Sequence, residues 1–359
     1  MTQDHTMTPA PPPSICVIRL SALGDVCHTV AMVRALQKAW PKTAITWIIG
    51  KKEAPLVRHL RDIRFIVFDK RHSLSSFVRI RRALNGERFA VLVLAQTSLR
   101  ANLLSLAVRA DRRVGFGATH AKEGHRWFVN ESVDLPERIH QAEALFSFAP
   151  HLLHDQSLCL HDAHRALPVP AEAEAFAIAH QPKPQHAVLI SPCSSHRQRN
   201  WPAEHYAKVA DWVTEHAHRP VILIGGPSET ETAMGQAIEA ACKHPVSNLI
   251  GQDTLDQALA MMARAACVIT PDSGPAHMAD GLGTPVVGVY AATRVARSGP
   301  WASKAWCVDG FADAAERFRG APEHTLPWAC RIQTDGVMAV VPPAAVIDAL
   351  KRLWGQSAR

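Results

Sequence analysis

Short apolar runs alternate with amphipathic stretches along most of this chain. The runs "SICVIRL", "AITWIIG", "RFIVFD" and "FAVLVLA" are rich in Val and Ile. Between and after them, "TVAMVRALQKAW", "EAPLVRHLRD", "SSFVRIRRALNG" and "LRANLLSLAVRA" place apolar residues at i, i+3 and i+4. Continuous hydrophobic strands separated by one-faced helices predict a parallel sheet with crossover helices. "RRVGFG" adds a further short strand. From Leu160 to His186 the pattern dissolves among prolines at 168, 170, 182 and 184, which predicts a linker with a short helix inside.

The alternation restarts with "HAVLIS", "HYAKVADWVTEH", "PVILIGG", "ETAMGQAIEAAC", "VSNLIG", "LDQALAMMARAA", "CVITPD", "PAHMADGLG" and "PVVGVYA". Two βα-rich halves predict an α/β protein of two Rossmann-like domains facing a cleft. The expected boundaries are a tail over 1–13, a first domain over 14–165, a linker over 166–185 and a second domain over 186–359. The last helix, "PAAVIDALKRLWGQ", fits against either half.

Composition narrows the classes. With 47% hydrophobic and 20% charged residues the 359-residue chain reads as globular and long enough for two cores. No apolar run approaches the ~18 residues that span a bilayer, and "MTQDHTMTPAPPPS" has neither a basic start nor an apolar centre, so a cytoplasmic protein is expected. None of the eight cysteines pair as C-x-x-C, which predicts buried free thiols. A formal charge of +7 beside 20 histidines suggests an anionic partner. The charge is spread and carries no nucleic-acid-binding signature, so nucleic acid is not expected. His151, His154, His161 and His164 form two H-x-x-H pairs without an acidic or cysteine framework, and no metal site is assigned to them.

In such sheets ligands bind beyond the carboxyl ends of the strands. Four strings fall there. In "RLSALGDVCHTV", Gly24 permits close backbone approach and Asp25 stands near a helix start. Local pattern leaves Asp25 open as a cap or a catalyst, while a phosphate role is disfavoured by like charge. In "CVITPDSGPAHMADGLGTPVVGVYAATR", Asp272, Ser273 and Gly274 lead through Pro275 into a helix carrying His277. Main-chain donors there suit a diphosphate, with Asp272 free for sugar hydroxyls. "ISPCSSHRQRNWPAEHY" offers Ser194, Ser195 and Arg199 for phosphate oxygens, or a solvated basic loop. In "LIGGPSETE", Glu229 or Glu231 could accept from a ribose diol, or Ser228 caps the helix with Glu231 as its partner.

Two of these strings, "RLSALGDVCHTVAMVRALQ" and "DSGPAHMADGLGTPVVGVYAATR", resemble glycosyltransferase family 9, the ADP-heptose:lipopolysaccharide heptosyltransferases. The motif order matches from about Ile15 to the last helix, with the first domain most similar to heptosyltransferase I. The resemblance implies a GT-B fold with an N-terminal acceptor domain and a C-terminal nucleotide-sugar domain. It implies inverting transfer of heptose from ADP-heptose without a metal or other cofactor, with Asp25 as general base. The resemblance also implies that Arg199, where relatives carry lysine, helps neutralise the leaving diphosphate. Ser194, Ser195, Glu229, Asp272, Ser273, Gly274 and His277 are the implied donor contacts. Gly24, Gln96, Ser98, Arg100, Arg113 and His140 are the implied contacts to an anionic Kdo, lipid A or inner-core acceptor. The "LAQTSLRAN" string departs from the family's Asp-x-Gln-Gly at Leu94 and Thr97, which bears on the acceptor. Peripheral contact with the cytoplasmic face of the inner membrane follows from such an acceptor. The alternatives are a related transferase with another sugar or a protein acceptor, and a nucleotide-sugar-binding protein without turnover.

Overall fold

A computed structural model describes residues 10–163, 167–169 and 171–357. Residues 1–9 of the expected tail, His164, and Ala166 and Pro170 of the expected linker lie outside them. The chain divides into two compact units, Met1–Pro168 and Val169–Arg359.

The first unit is built on six parallel strands: β1 (Ser14–Ile18), β2 (Ala44–Gly50), β3 (Ile63–Phe68), β4 (Arg88–Leu94), β5 (Arg109–Phe116) and β6 (Glu131–Val133). Their order is β3-β2-β1-β4-β5-β6. The central strands are buried on both faces, as their unbroken Val/Ile/Leu runs require. One face is covered by helices Ser73–Ala83 and Leu99–Leu104, whose Ile80, Ala101 and Leu104, with Leu84 just past the first helix, pack with Ile18, Ile48, Leu92 and Leu94. Helix Leu23–Ala39 packs instead with helices Gln141–Phe146 and Phe148–Leu153. The expected helix over "EAPLVRHLRD" shortens to Ala54–Val57, and "LAVRA" after it contributes its last residues to β5.

The second unit repeats the plan with β7 (Val188–Ile190), β8 (Val221–Leu223), β9 (Ser247–Asn248), β10 (Cys267–Pro271), β11 (Val286–Tyr290) and β12 (Val308–Asp309). The order is β12-β11-β10-β7-β8-β9, again all parallel. Read by position, both sheets are 3-2-1-4-5-6, and both reverse direction between their first and fourth strands. The last helix, Pro343–Ser357, belongs to this unit: Val346, Ala349, Leu350 and Leu353 join its core.

The segment expected as a linker is a correction. From Val169 it forms part of the second unit, with a helix at Glu174–His180. Ala173, Ala177 and Gln181 are buried against helix Leu255–Arg264, where Gln181 Nε2 donates to the Met261 carbonyl at 2.9 Å. Arg264 closes the contact by donating to the Gln181 and Pro182 carbonyls. The prolines bracket this docking helix. All eight cysteines are free; Cys16, Cys27, Cys193 and Cys267 are buried, and burial pushes the Cys193 and Cys267 thiols up to about 12.

Candidate functional site

In the first unit the switch point places the loop after β1 beside the loop after β4. The Gln96 side-chain carbonyl accepts from the Leu20 amide at 2.7 Å and the Ser21 amide at 3.4 Å, and its Nε2 donates to Ser98 Oγ at 3.1 Å. Arg19, 6% exposed, donates through Nη1 to the Ala95 carbonyl at 2.7 Å and through Nη2 to Asp25 Oδ2. The two loops are thus locked by side chains.

Asp25 is the third residue of helix Leu23–Ala39, whose N-cap is Ala22. Alanine has no acceptor, so the cap falls to Asp25, whose Oδ2 lies 3.4 Å from the Ala22 amide. The carboxylate is a quarter exposed, and its Oδ1 has no partner among the described residues. Gly24 is buried in the first turn of the same helix. His140 caps helix Gln141–Phe146 through Nδ1, which accepts from the Ala142 amide at 3.1 Å. Its ring meets that of His28 edge-on at 6.3 Å, so it lies against the helix that carries Asp25.

A cavity of about 220 Å³ opens at the carboxyl ends of these strands. Leu20, Ser21, Gln96 and Arg100 form one side, and Gly50, Lys51, Lys52, Glu53, Phe68, Asp69, Lys70 and Arg71 the other. Five cations against two carboxylates suit an anionic ligand. Lys51, Lys52, Lys70 and Arg71 were beyond the reach of motif reasoning, because they follow β2 and β3 in no recognisable string. Glu53 is half-buried, and that burial raises its carboxyl above the usual range. Gly50 is obligatory here: a Cβ would meet the Leu20 carbonyl at 2.2 Å.

Arg113 is not part of this group. Its Nε donates to the Phe128 carbonyl at 2.8 Å, Nη1 to the Val108 carbonyl at 2.9 Å, and Nη2 to Ser105 O and Oγ at 3.0 and 2.8 Å. The guanidinium ties β5 to its neighbours.

In the second unit the loops after β7, β10 and β11 converge. Asp272, 7% exposed, presents Oδ2 to Arg199 Nη1 at 3.1 Å and to Thr293 Oγ1 at 2.8 Å. Ser194 Oγ donates to the Asp272 carbonyl at 2.9 Å, and the Ser194 amide is held by Asn200 Oδ1 at 2.7 Å. Burial lowers the Arg199 guanidinium from its ordinary value, and Asp272 opposes that shift. Thr293 and Asn200 escaped the sequence reading, since each touches the site only through the fold.

Helix Gly274–Leu282 starts at Ser273, with Pro275 in its first turn. Ser273 makes no capping bond; its hydroxyl pairs with Thr270 Oγ1 at 2.9 Å. The helix end therefore keeps its amide donors free of any side-chain cap, the arrangement that receives phosphate. His277 is buried in its first turn. Ser195 and Glu229 are exposed and stand apart from these contacts. Ser228 caps helix Glu229–Ala241, and Glu231 turns inward to accept from Ser228 Oγ at 2.7 Å and the Gly226 amide at 3.0 Å. Among the described residues, no group of three His, Cys, Asp or Glu side chains is placed to hold a metal.

The pattern of glycosyltransferase family 9 (heptosyltransferase) matches residues 77–324. The lipopolysaccharide core heptosyltransferase OpsX of Haemophilus influenzae is 32% identical over 342 residues, 95% of this chain and 97% of that one. The chain belongs to glycosyltransferase family 9. Its fold is shared by the family 9 glycosyltransferase of Veillonella parvula, with TM-score 0.75 at 22% identity over 95% of this chain and 97% of that one. Escherichia coli heptosyltransferase WaaC with ADP gives 0.72 at 16% identity over 95% and 99%. The chain is accordingly a glycosyltransferase of GT-B fold. Each of the two units carries its polar cluster beyond the carboxyl ends of its strands.

Proposed function

We propose that this enzyme transfers a heptose, with inversion and without a metal, from ADP-heptose to a Kdo-bearing inner-core lipopolysaccharide acceptor. The observation that carries the reading is the near-full-length similarity to OpsX, a lipopolysaccharide core heptosyltransferase. The two clusters support the division of labour. In the second unit, Arg199 and the uncapped helix after Ser273 would neutralise the departing diphosphate. Asp272 Oδ1, without a partner among the described residues, would accept from a heptose hydroxyl. Ser194 and His277 would complete that site, with Ser195 and Glu229 recruited only by a donor that reaches them.

In the first unit, Asp25 would take the proton of the acceptor hydroxyl as that oxygen attacks the anomeric carbon and the bond to ADP breaks. Arg19 fixes Oδ2 and leaves Oδ1 for the proton. The acceptor's carboxylates and phosphates would enter the cationic cavity beside Gln96, Ser98 and Arg100. One observation favours a second base, Glu53, whose carboxyl lines the cavity and is raised by burial.

Incubation with ADP-heptose and Kdo-lipid A tests the reading by ADP release together with one heptose mass increment. Turnover only with an already heptosylated acceptor moves the reaction to a later core step. Loss of activity with chelator, restored by a divalent ion, would end the metal-free reading.

A further inference from the structure

Apart from Lys70, Arg71 and Arg100 at its edge, the outer surface of the layer formed by helices Ser73–Ala83 and Leu99–Leu104 has no part in the chemistry above. Among the described residues nine large hydrophobic side chains are exposed, and six stand on or beside this layer: Leu74, Val78, Leu99, Leu103, Leu106 and Trp127. Leu74 is 86% and Trp127 89% exposed. Scattered exposed aliphatics are ordinary in soluble proteins, whereas a concentration on one surface marks an interaction.

The six fall into neighbouring groups: Leu74 and Val78 are one turn apart on helix Ser73–Ala83. Val78 and Leu106 line one open groove of about 580 Å³, shared with Arg81, Arg82 and Arg109. Leu99 and Leu103 are one helical turn apart. Asn102, between them, binds the segment bearing Trp127: its Nδ2 donates to the Glu123 carbonyl at 3.0 Å, and its Oδ1 faces His125 Nδ1 at 2.9 Å.

Charge selects the occupant. Residues 70–87, 99–110 and 122–128 carry nine Lys and Arg against two Glu: Glu87, which lines the groove and pairs with Arg64, and Glu123. The Glu123 carboxylate accepts from the Leu99 amide. Among the described residues Arg81, Arg82, Arg100 and Arg109 form no ion pair. A protein partner must match such a surface pair by pair, while a plane of anionic headgroups matches it everywhere.

We propose that this face docks on an anionic bilayer, with Leu74, Leu106 and Trp127 entering the headgroup boundary and the arginines on lipid phosphates. Lys70, Arg71 and Arg100 belong both to this surface and to the 220 Å³ cavity. Docking thus sets the cavity at the membrane, a consequence that rests on the lipid-linked acceptor read above.

The test is co-sedimentation of the full chain with vesicles of phosphatidylethanolamine and phosphatidylglycerol, with phosphatidylcholine vesicles as the comparison. The native protein should pellet with the anionic vesicles and stay in solution with the neutral ones. Leu74→Ser/Trp127→Ser and Arg81→Glu/Arg82→Glu should each weaken that binding by about tenfold or more. Both should keep the native melting temperature and native turnover on a water-soluble Kdo oligosaccharide. The proposal fails if the native chain ignores anionic vesicles, or if folded double variants bind as well as it does. It fails equally if the native chain is a dimer in sedimentation velocity and Leu74→Ser/Trp127→Ser yields monomers with vesicle binding intact, which makes the face a self-interface. Absence of turnover on the soluble acceptor counts against the transferase reading alone, because vesicle binding requires no catalysis.

Discussion

In the first unit β1 to β5 run five to eight residues, and the loops beyond them surround a cavity ringed by lysine and arginine. In the second, β7, β8, β9 and β12 run only two or three residues, and the loops beyond β7 and β10 close on one another through Arg199, Asp272 and Ser194. One strand order therefore serves two kinds of edge. The loops of the first unit leave a hollow between them; those of the second bond to one another. Topology says where a site lies, and loop chemistry decides what it takes.

The sharpest way to break that comparison is Asp25→Asn. Turnover should fall by about 10²–10⁴-fold while ADP affinity, measured by titration calorimetry, stays native. Glu53→Gln should change turnover far less; if the two outcomes exchange, the base is Glu53. In the second unit, Arg199→Met should lower turnover by roughly 10²–10³-fold and weaken ADP as well. A donor affinity unmoved by that change would detach Arg199 from the diphosphate. Thr293→Val, which removes one hydroxyl from Asp272, should cost about tenfold in turnover.

Arg113→Met separates structure from binding. It should destabilise the protein by about 1–3 kcal/mol in thermal unfolding and leave acceptor KM unchanged, since the guanidinium serves backbone carbonyls. The smallest effect concerns acid. Buried His125 accepts from the Phe116 amide through Nε2 at 3.0 Å, and burial lowers it to about 4. Unfolded, it takes a proton near 6.5, so its contribution is full above that pH and is lost as pH falls toward 4. His125→Gln should flatten the decline in melting temperature between pH 7 and 5 by about a few degrees. Glu131, held down to about 2 first by Arg112 and then by His151, acts in a lower window, below about 4.5.

Most strands were legible because parallel strands buried on both faces must be unbroken apolar runs; "AITWIIG" is β2 end to end. β6, with three residues including Glu131, carries no such run and left no trace in the pattern. The short helix expected in the linker is Glu174–His180, but its docking was not legible, because prolines mark a change of direction equally well in a tether and at the rim of a core. Asp25, Asp272 and Arg199 were legible as motif residues at strand ends. The resemblance implied Arg113 as an acceptor contact, whereas its guanidinium bridges backbone carbonyls, a role that one dimension does not display. Lys51, Lys70 and Arg71 could not be assigned at all, since only the sheet order brings them beside Gln96.

The pairing of Arg199 with Asp272 has a consequence for the order of events. The site neutralises itself: the guanidinium rests on the carboxylate, and Thr293 shares the same oxygen. On the proposed function, an arriving diphosphate would compete for that guanidinium, and every degree to which it succeeded would unburden Asp272. The carboxylate would then be released for a hydroxyl of the donor sugar. On this reading the nucleotide half arms the grip on the half that is transferred, and ADP alone leaves that grip armed but empty.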